Sequence, residues 1–255
     1  MKFESVTSFI RSIAHREQKE VGASVSSHGT TTEIVYPAPL SWPWPRQFEY
    51  TREFFCVGSG ASCLHEVGRA TASKEEHVVN MFSPDPAREA RHFVDAGYAE
   101  AWGSTLLGRA LSTVWSRPLA RGASIHEVAN AGDMEDYASL PGISNPGTSR
   151  DPFIHNFYAT VDSEVVAKGQ LIALPQSVAY ISDMFTRPSH RGMGLCNFIM
   201  LALENKAREL GATHTCLAPG QEVASFGLYA KYGYESVGSR SVLVCRDARD
   251  TAHDT

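Results

Sequence analysis

The segment Arg191-Gly192-Met193-Gly194-Leu195-Cys196 holds the residue types in this chain best suited to chemistry. Glycines at 192 and 194 let successive backbone N–H groups turn inward with no side chain in the way. A helix predicted to open at Gly194 aims its unpaired donors and its positive dipole end at the same spot. A pyrophosphate fits such a cradle. A glycine pair at a helix start also serves as a plain cap, so the spacing alone leaves both readings open. Cys196 stands where a helix dipole lowers a thiol pKa, but no base nearby in sequence completes a nucleophilic pair. The cysteines, at 56, 63, 196, 216 and 245, form no CxxC or Cys/His cluster, and no histidine pair has helical metal-ligand spacing. No metal is expected, and free thiols fit a reducing compartment.

The elements that must position this loop follow from periodicity and turn signals. Strands are predicted at 123–128, 153–161, 164–173, 179–186, 213–217 and 236–245, and helices at 132–140, 194–210 and 223–232. In the long helix Leu195, Phe198, Ile199, Ala202, Lys206 and Leu210 trace one face, and Gly211 stands at the left-handed cap. The result is a mixed α/β (α+β) domain with an antiparallel start and a strand-loop-helix crossover at its centre. Upstream, Phe3, Val6, Phe9, Ile10 and Ile13 predict an amphipathic helix over 3–20. Residues 36–45, with four prolines and Trp42 and Trp44, predict an extended loop, either a cover over a core edge or a cleft wall. One internal echo stands out. Phe93-Val-Asp-Ala-Gly-Tyr98, followed by strand-like 102–107, parallels Tyr229-Ala-Lys-Tyr-Gly-Tyr234, followed by 236–245. The echo is short, and leaves two readings: chance similarity, or an N-terminal half that is a degenerate copy of the C-terminal one.

With 255 residues, 43% of them apolar and 20% charged, the chain has globular composition and room for one large or two modest domains. A net charge of -5 without a dense basic run argues against nucleic acid or an anionic membrane as partner. Charges throughout the first twenty residues leave no secretory or spanning segment, so a cytoplasmic location is expected.

The glycine loop resembles that of the GNAT acyltransferase superfamily, which reads Arg/Gln-x-x-Gly-x-Gly/Ala after a strand ending in a Val-x-Pro-like turn. Arg191, Gly194 and Cys196 take the three places, and Thr186 and Pro188 stand at the turn. Cys196 departs from Gly/Ala but is small enough for the cofactor to approach. The late helix is similar too: Leu228-Tyr229 and Gly233-Tyr234 match an aliphatic-Tyr pair before a Gly-aromatic turn. Where many members carry Asn, this chain has Glu222. The resemblance implies that Tyr229 faces the departing thiolate sulfur and donates to it; a core tyrosine is the other reading. The segment around Asp183 looks like the Leu-Glu-Asp-aromatic-aromatic-Val pattern of polyamine acetyltransferases, with Ser182 at the Glu. Asp183 or an ordered water is then the base that deprotonates an amine; an exposed strand-end carboxylate is the alternative.

The implied fold is a central mixed, largely antiparallel sheet flanked by helices, in a tandem, pseudo-duplicated arrangement. Residues 1–118 form a degenerate, non-catalytic domain and 119–255 the catalytic one. The implied acetyl-CoA contacts are Met184, Phe185, Thr186, Arg191, Gly192, Met193, Gly194, Leu195, Cys196, Glu222 and Lys231, with the strand backbone pairing the pantetheine amides. The implied activity is acetyl-CoA-dependent N-acetylation of a primary amine on a small molecule or peptide, by direct attack. A silent acyl-CoA-binding module, another acyl group and a hydroxyl acceptor are the competing readings, and a homodimer is left open.

Overall fold

A computed structural model describes residues 2–42, 48–71, 75–112, 122–142, 151–219 and 223–245. The expected domain boundary at 118/119, Trp44 and Glu222 lie outside the described residues. Helix α1 (Lys2–Arg16) buries Val6, Phe9, Ile10 and Ile13, the stripe that its spacing defines. It runs into a π-helical turn (Glu17–Val21) that ends on Gly22 at φ 76°, a left-handed cap natural to glycine. Then come β1 (Ser24–His28), β2 (Thr31–Trp42), β3 (Phe48–Val57), α2 (Gly60–Ala70), β4 (His77–Ser83), α3 (Pro86–Asp95) and β5 (Ala99–Ala110). The second half contains β6 (Ala123–Glu127), α4 (Ala131–Ala138), β7 (Ile154–Val161), β8 (Glu164–Ile172) and β9 (Val178–Thr186). It ends with α5 (Leu195–Glu209), β10 (His214–Leu217), α6 (Val223–Lys231) and β11 (Glu235–Cys245).

One expectation is corrected. Residues 36–42, read as loop, are the end of β2. Pro37 and Pro39 fall where the register with β3 shifts between Val35 and Leu40, a bulge at which no ladder donor is required of them.

The strands form a single sheet in the order β1-β2-β3-β4-β11-β5-β10-β9-β8-β7-β6. The two closing strands are exchanged. β11, the last strand of the second half, pairs with β4 of the first, and β5 pairs with β10 of the second. β5 and β11 also pair with each other, antiparallel, at the centre. Neither half therefore completes its sheet from its own residues, and each penultimate strand would be an open edge without the other half.

Alternation along the strands builds a core on each face. On one face α1 covers Val78, Phe82, Val178, Tyr180, Cys216 and Val242, so a single cluster spans both halves. Phe9 contacts Phe82 edge-on at 5.7 Å between centroids and Tyr180 at 5.0 Å. Burying such a ring stabilises by about 1.5–3 kcal/mol, and here it ties β4 to β9. On the other face α5 covers Ala179, Ile181 and Leu217, while Val67 and Phe93 of α2 and α3 cover Phe54, Val79 and Leu243.

The echo seen in the sequence is matched bond for bond. Tyr98 N–H bonds to the Phe93 carbonyl at 3.0 Å and Tyr234 N–H to the Tyr229 carbonyl at 3.1 Å, with Gly97 and Gly233 both at positive φ. No described helix is long and apolar enough to cross a membrane.

Candidate active site

β9 and β10 run parallel through Val178↔His214, Ala179↔Thr215 and Tyr180↔Cys216, and then part. β10 ends at Leu217, whereas β9 continues to Thr186 with only β8 beside it. Backbone groups on the open side of β9 thus face a V-shaped gap where an extended amide chain can pair. A β-bulge sits in the opening stretch. Ser182 opposes Gln170 and Phe185 opposes Lys168, leaving Asp183 and Met184 together opposite Gly169. A Cβ on Gly169 would come within 2.6 Å of both Ile199 and Met184, so only glycine lets α5 lie this close to the bulge.

The loop into α5 follows directly. Residues Pro188–His190 make a 3-10 turn, Arg191 is extended, and Gly192 and Gly194 take φ 84° and 80°. Gly194 caps α5 with no side-chain hydrogen bond, and nothing lies within 4 Å of a Cβ built on Gly192. Among the described residues no side chain caps the start of α5, which leaves its first N–H groups facing an open surface, as an anion site requires. Arg191, Gly192 and Met193 are exposed, and Leu195 is buried, offering only its backbone. Arg191 Nε donates to the Thr186 carbonyl at 3.4 Å, which ties the loop to the strand end. Burial pushes the Cys196 thiol up to about 11, so it is neutral at physiological pH despite its place in the helix.

Tyr229, on α6, packs in the cluster beneath α5, with its ring edge-on to Tyr234 at 6.0 Å. Burial raises its hydroxyl above the usual tyrosine range, with smaller contributions from Cys196 and Tyr180, so it stays protonated and can donate. α6 is held from below. Tyr234 Oη lies 2.9 Å from Thr215 and donates to Glu204 at 3.1 Å, and Glu204 accepts from Arg109 at 3.0 Å. Arg109 belongs to β5, so a strand of the first half anchors the helix that carries Tyr229. Lys231 is exposed at the end of α6.

Asp183 departs from the exposed strand-end carboxylate and from a free base. Its backbone is left-handed at φ 51°, which costs about 1 kcal/mol in a non-glycine residue and turns the side chain onto the face of Lys168 and Gln170. There Oδ2 accepts from Lys168 Nζ at 2.8 Å and from the Tyr137 hydroxyl at 2.7 Å. The ion pair is nearly sealed, with side chains 1% and 2% exposed. Asp183 Oδ2 is thus held in a buried ion pair under the bulge. Sequence reasoning missed Lys168 and Tyr137; the signal was a lysine in the middle of β8, flanked by apolar residues and glycine.

The first half places equivalent elements differently. β3 and β4 pair in parallel from Arg52↔His77 to Val57↔Phe82, the end of β3, and Gly58 N–H still bonds to Phe82 O at 3.1 Å. No V opens. In the first half Gly58-Ser59-Gly60 makes a glycine turn into α2. Its Gly60 N–H bonds to Glu89 Oε2 at 2.7 Å. Phe93, in the place of Tyr229, is fully buried.

Among the described residues, no group of three His, Cys, Asp or Glu is placed to hold a metal. A cavity of about 380 Å³ lined by Ser5, Arg109, His214, Tyr232 and Glu235 lies at the start of β10, away from the glycine loop.

The family model for the acetyltransferase (GNAT) family matches residues 123–234. No curated protein matches the sequence. Among solved structures, a GCN5-related N-acetyltransferase from Kribbella flavida is similar, with 17% identity, TM-score 0.69, and 93% of this chain and 95% of that chain covered. One from Sphaerobacter thermophilus has 11% identity and TM-score 0.58, with coverage of 96% and 93%. A tandem GNAT protein from the clavulanic acid biosynthesis pathway has 12% identity and TM-score 0.53, with coverage of 94% and 96%. These likenesses extend over both halves and are likenesses of fold. The open V, the glycine loop and the late tyrosine helix all fall within residues 123–234, the stretch that the GNAT family model matches.

Proposed function

We propose that the C-terminal half transfers an acetyl group from acetyl-CoA to a primary amine of a small molecule or peptide by direct attack. The observation that carries this is the parting of β9 from β10 directly above an open glycine loop. The residues present fit acetyl-CoA. Backbone donors at 192–196 would hold the pyrophosphate with Arg191 beside it, and the free edge of β9 at 184–186 would pair with the pantetheine amides. When bound, acetyl-CoA supplies the acetyl thioester; the protein orients, excludes water and moves protons. Tyr229, neutral and without a hydrogen bond from its hydroxyl to a described residue, donates a proton to the leaving sulfur. Asp183 and Lys168 hold the bulge that keeps the strand edge open. The first half is non-catalytic in this reading and shapes the acceptor side.

Calorimetry with acetyl-CoA, followed by thiol-release assays over spermidine, lysine amide, aminoglycosides and short peptides, tests the proposal. Binding in the low-micromolar to millimolar range and amine-dependent thiol release are expected. Binding without release for any amine would favour a silent acyl-CoA module, and no binding would overturn the assignment.

A further inference from the structure

Glu20 lies in the π-helical turn after α1, in the first half, yet its carboxylate reaches the sheet of the second. Oε1 accepts from Gln170 Nε2 at 2.7 Å. Gln170 in turn donates to Asn156 at 3.0 Å and accepts from the Ser182 hydroxyl at 3.0 Å. Ser182 is the last residue before the bulge, where β9 leaves β10. Glu20 therefore stands on the α1 face of the sheet, one amide side chain from the gap. Resting on the acetyl-transfer reading, we propose that Glu20 binds the ammonium of a cationic acceptor and takes its proton, so that the N-terminal half supplies the base.

The neighbouring carboxylates are less free. Asp183 Oδ2 is held by Lys168 and Tyr137, and Glu17 is bound by Arg16. For Glu20 no bond other than that from Gln170 is seen among the described residues. The charged and titratable groups around it are Arg16 and Glu17 on its own helix, Asp183 on β9, Tyr137 on α4 and, ion-paired to Asp183, Lys168 on β8. Burial raises the carboxyl to about 7; Arg16 and the Gln170 bond oppose this, and Glu17 and Asp183 add to it. Such a group takes a proton and returns it at neutral pH. The step balances. An R–NH3+ group gives one proton to Glu20, its nitrogen forms the C–N bond as C–S breaks, the second proton lost from nitrogen restores Tyr229 after its donation to sulfur, and Glu20 releases its own to water.

The test uses the full chain, with whichever of spermidine, lysine amide or an aminoglycoside turns over fastest. Wild-type kcat/KM should rise with pH through about 7, because the base acts ionised. Glu20→Gln should lower it by about a hundredfold or more and remove that limb, with acetyl-CoA Kd unchanged; Glu20→Asp should restore part of both. A second readout needs no substrate. A carboxyl raised on folding loses stability as pH climbs from its unfolded value toward 7, so Glu20→Gln should melt higher relative to wild type at pH 8 than at pH 5. Retention of the rate, or loss of rate with the limb intact, would overturn the inference, as would equal melting differences at the two pH values. If Glu20→Gln does not fold, the wild-type limb and its change in Glu20→Asp decide. If wild type binds no acetyl-CoA or acetylates no amine, the functional reading has failed and the inference falls with it.

Discussion

The two halves share a frame and differ at its opening. Both run from a strand through a glycine turn into a helix, and both end a later helix on the same pair of backbone bonds before Gly-Tyr. In the first half, β3 stays paired with β4 to its end, and Glu89 occupies the helix start. In the second, the pairing stops after Tyr180↔Cys216, a bulge turns Asp183 aside, and the helix start is open. The difference teaches that the repeat fixes where a ligand could lie, while strand pairing and one carboxylate decide whether room exists for it.

The largest effect on this comparison should come from separating the halves. A fragment starting at Arg121 lacks β4 and β5, which leaves β10 with one bare edge and β11 with no partner on either side, and lacks α1, which leaves Val178, Tyr180 and Val242 uncovered. We expect aggregated or molten material by gel filtration and near-ultraviolet circular dichroism. A monodisperse fragment that binds acetyl-CoA as the full chain does would show that the exchanged strands are dispensable.

Next in size is the loop. Gly194→Val forces a β-branched residue to φ 80° and puts its side chain on the anion surface. Gly58→Val in the first half meets the same kind of strain at φ 114°, with nothing within 4 Å of the new Cβ. Both should lose about 1–2 kcal/mol of stability. Only Gly194→Val should lose acetyl-CoA binding, by a hundredfold or more, in calorimetry. Unchanged binding in Gly194→Val would remove the loop from the site.

Much of the second half was legible in the sequence because its signals are local. Periodicity set α5 to within a residue at each end, Gly211 and Gly233 marked their turns, and Arg191 to Cys196 gave the loop. The partners of Asp183 were not legible. Lys168 and Tyr137 reach it through a bulge and a separate helix, and one residue of slip decides which face a strand side chain takes. Glu20 was hidden for the same reason: its bond to Gln170 crosses 150 positions of sequence. Residues 36–42 were misread because Pro37 and Pro39 break a regular strand but are tolerated at a bulge. The exchange of β5 and β11 leaves no local trace, since each strand keeps the same neighbours in sequence whichever half it pairs with.

A smaller effect separates Tyr229 from Phe93. Tyr229→Phe should lower kcat by about ten- to a thousandfold and leave acetyl-CoA affinity nearly intact, since only the transition state needs the proton. Collapse of affinity with rate preserved would make it a packing residue. The reciprocal Phe93→Tyr should create no activity. It buries a hydroxyl among Phe54, Val67 and Met81 and should cost about 1–3 kcal/mol in a urea melt.

The smallest expected effect tests which feature closes the first half. Glu89→Gln keeps an acceptor near Gly60 N–H, 2.7 Å from the native oxygen, but removes the negative charge from the start of α2. That interaction with the helix dipole is worth about 0.3–1 kcal/mol, so the urea midpoint should fall slightly and most clearly at low salt. Acetyl-CoA should still titrate at one per chain. Strand pairing, unlike the carboxylate, is untouched by the change, and β3 bonded to β4 along its whole shared length leaves no edge for a pantetheine arm. A second equivalent bound by Glu89→Gln would show instead that the carboxylate alone keeps the first half empty and that its paired strands part when an anion is offered.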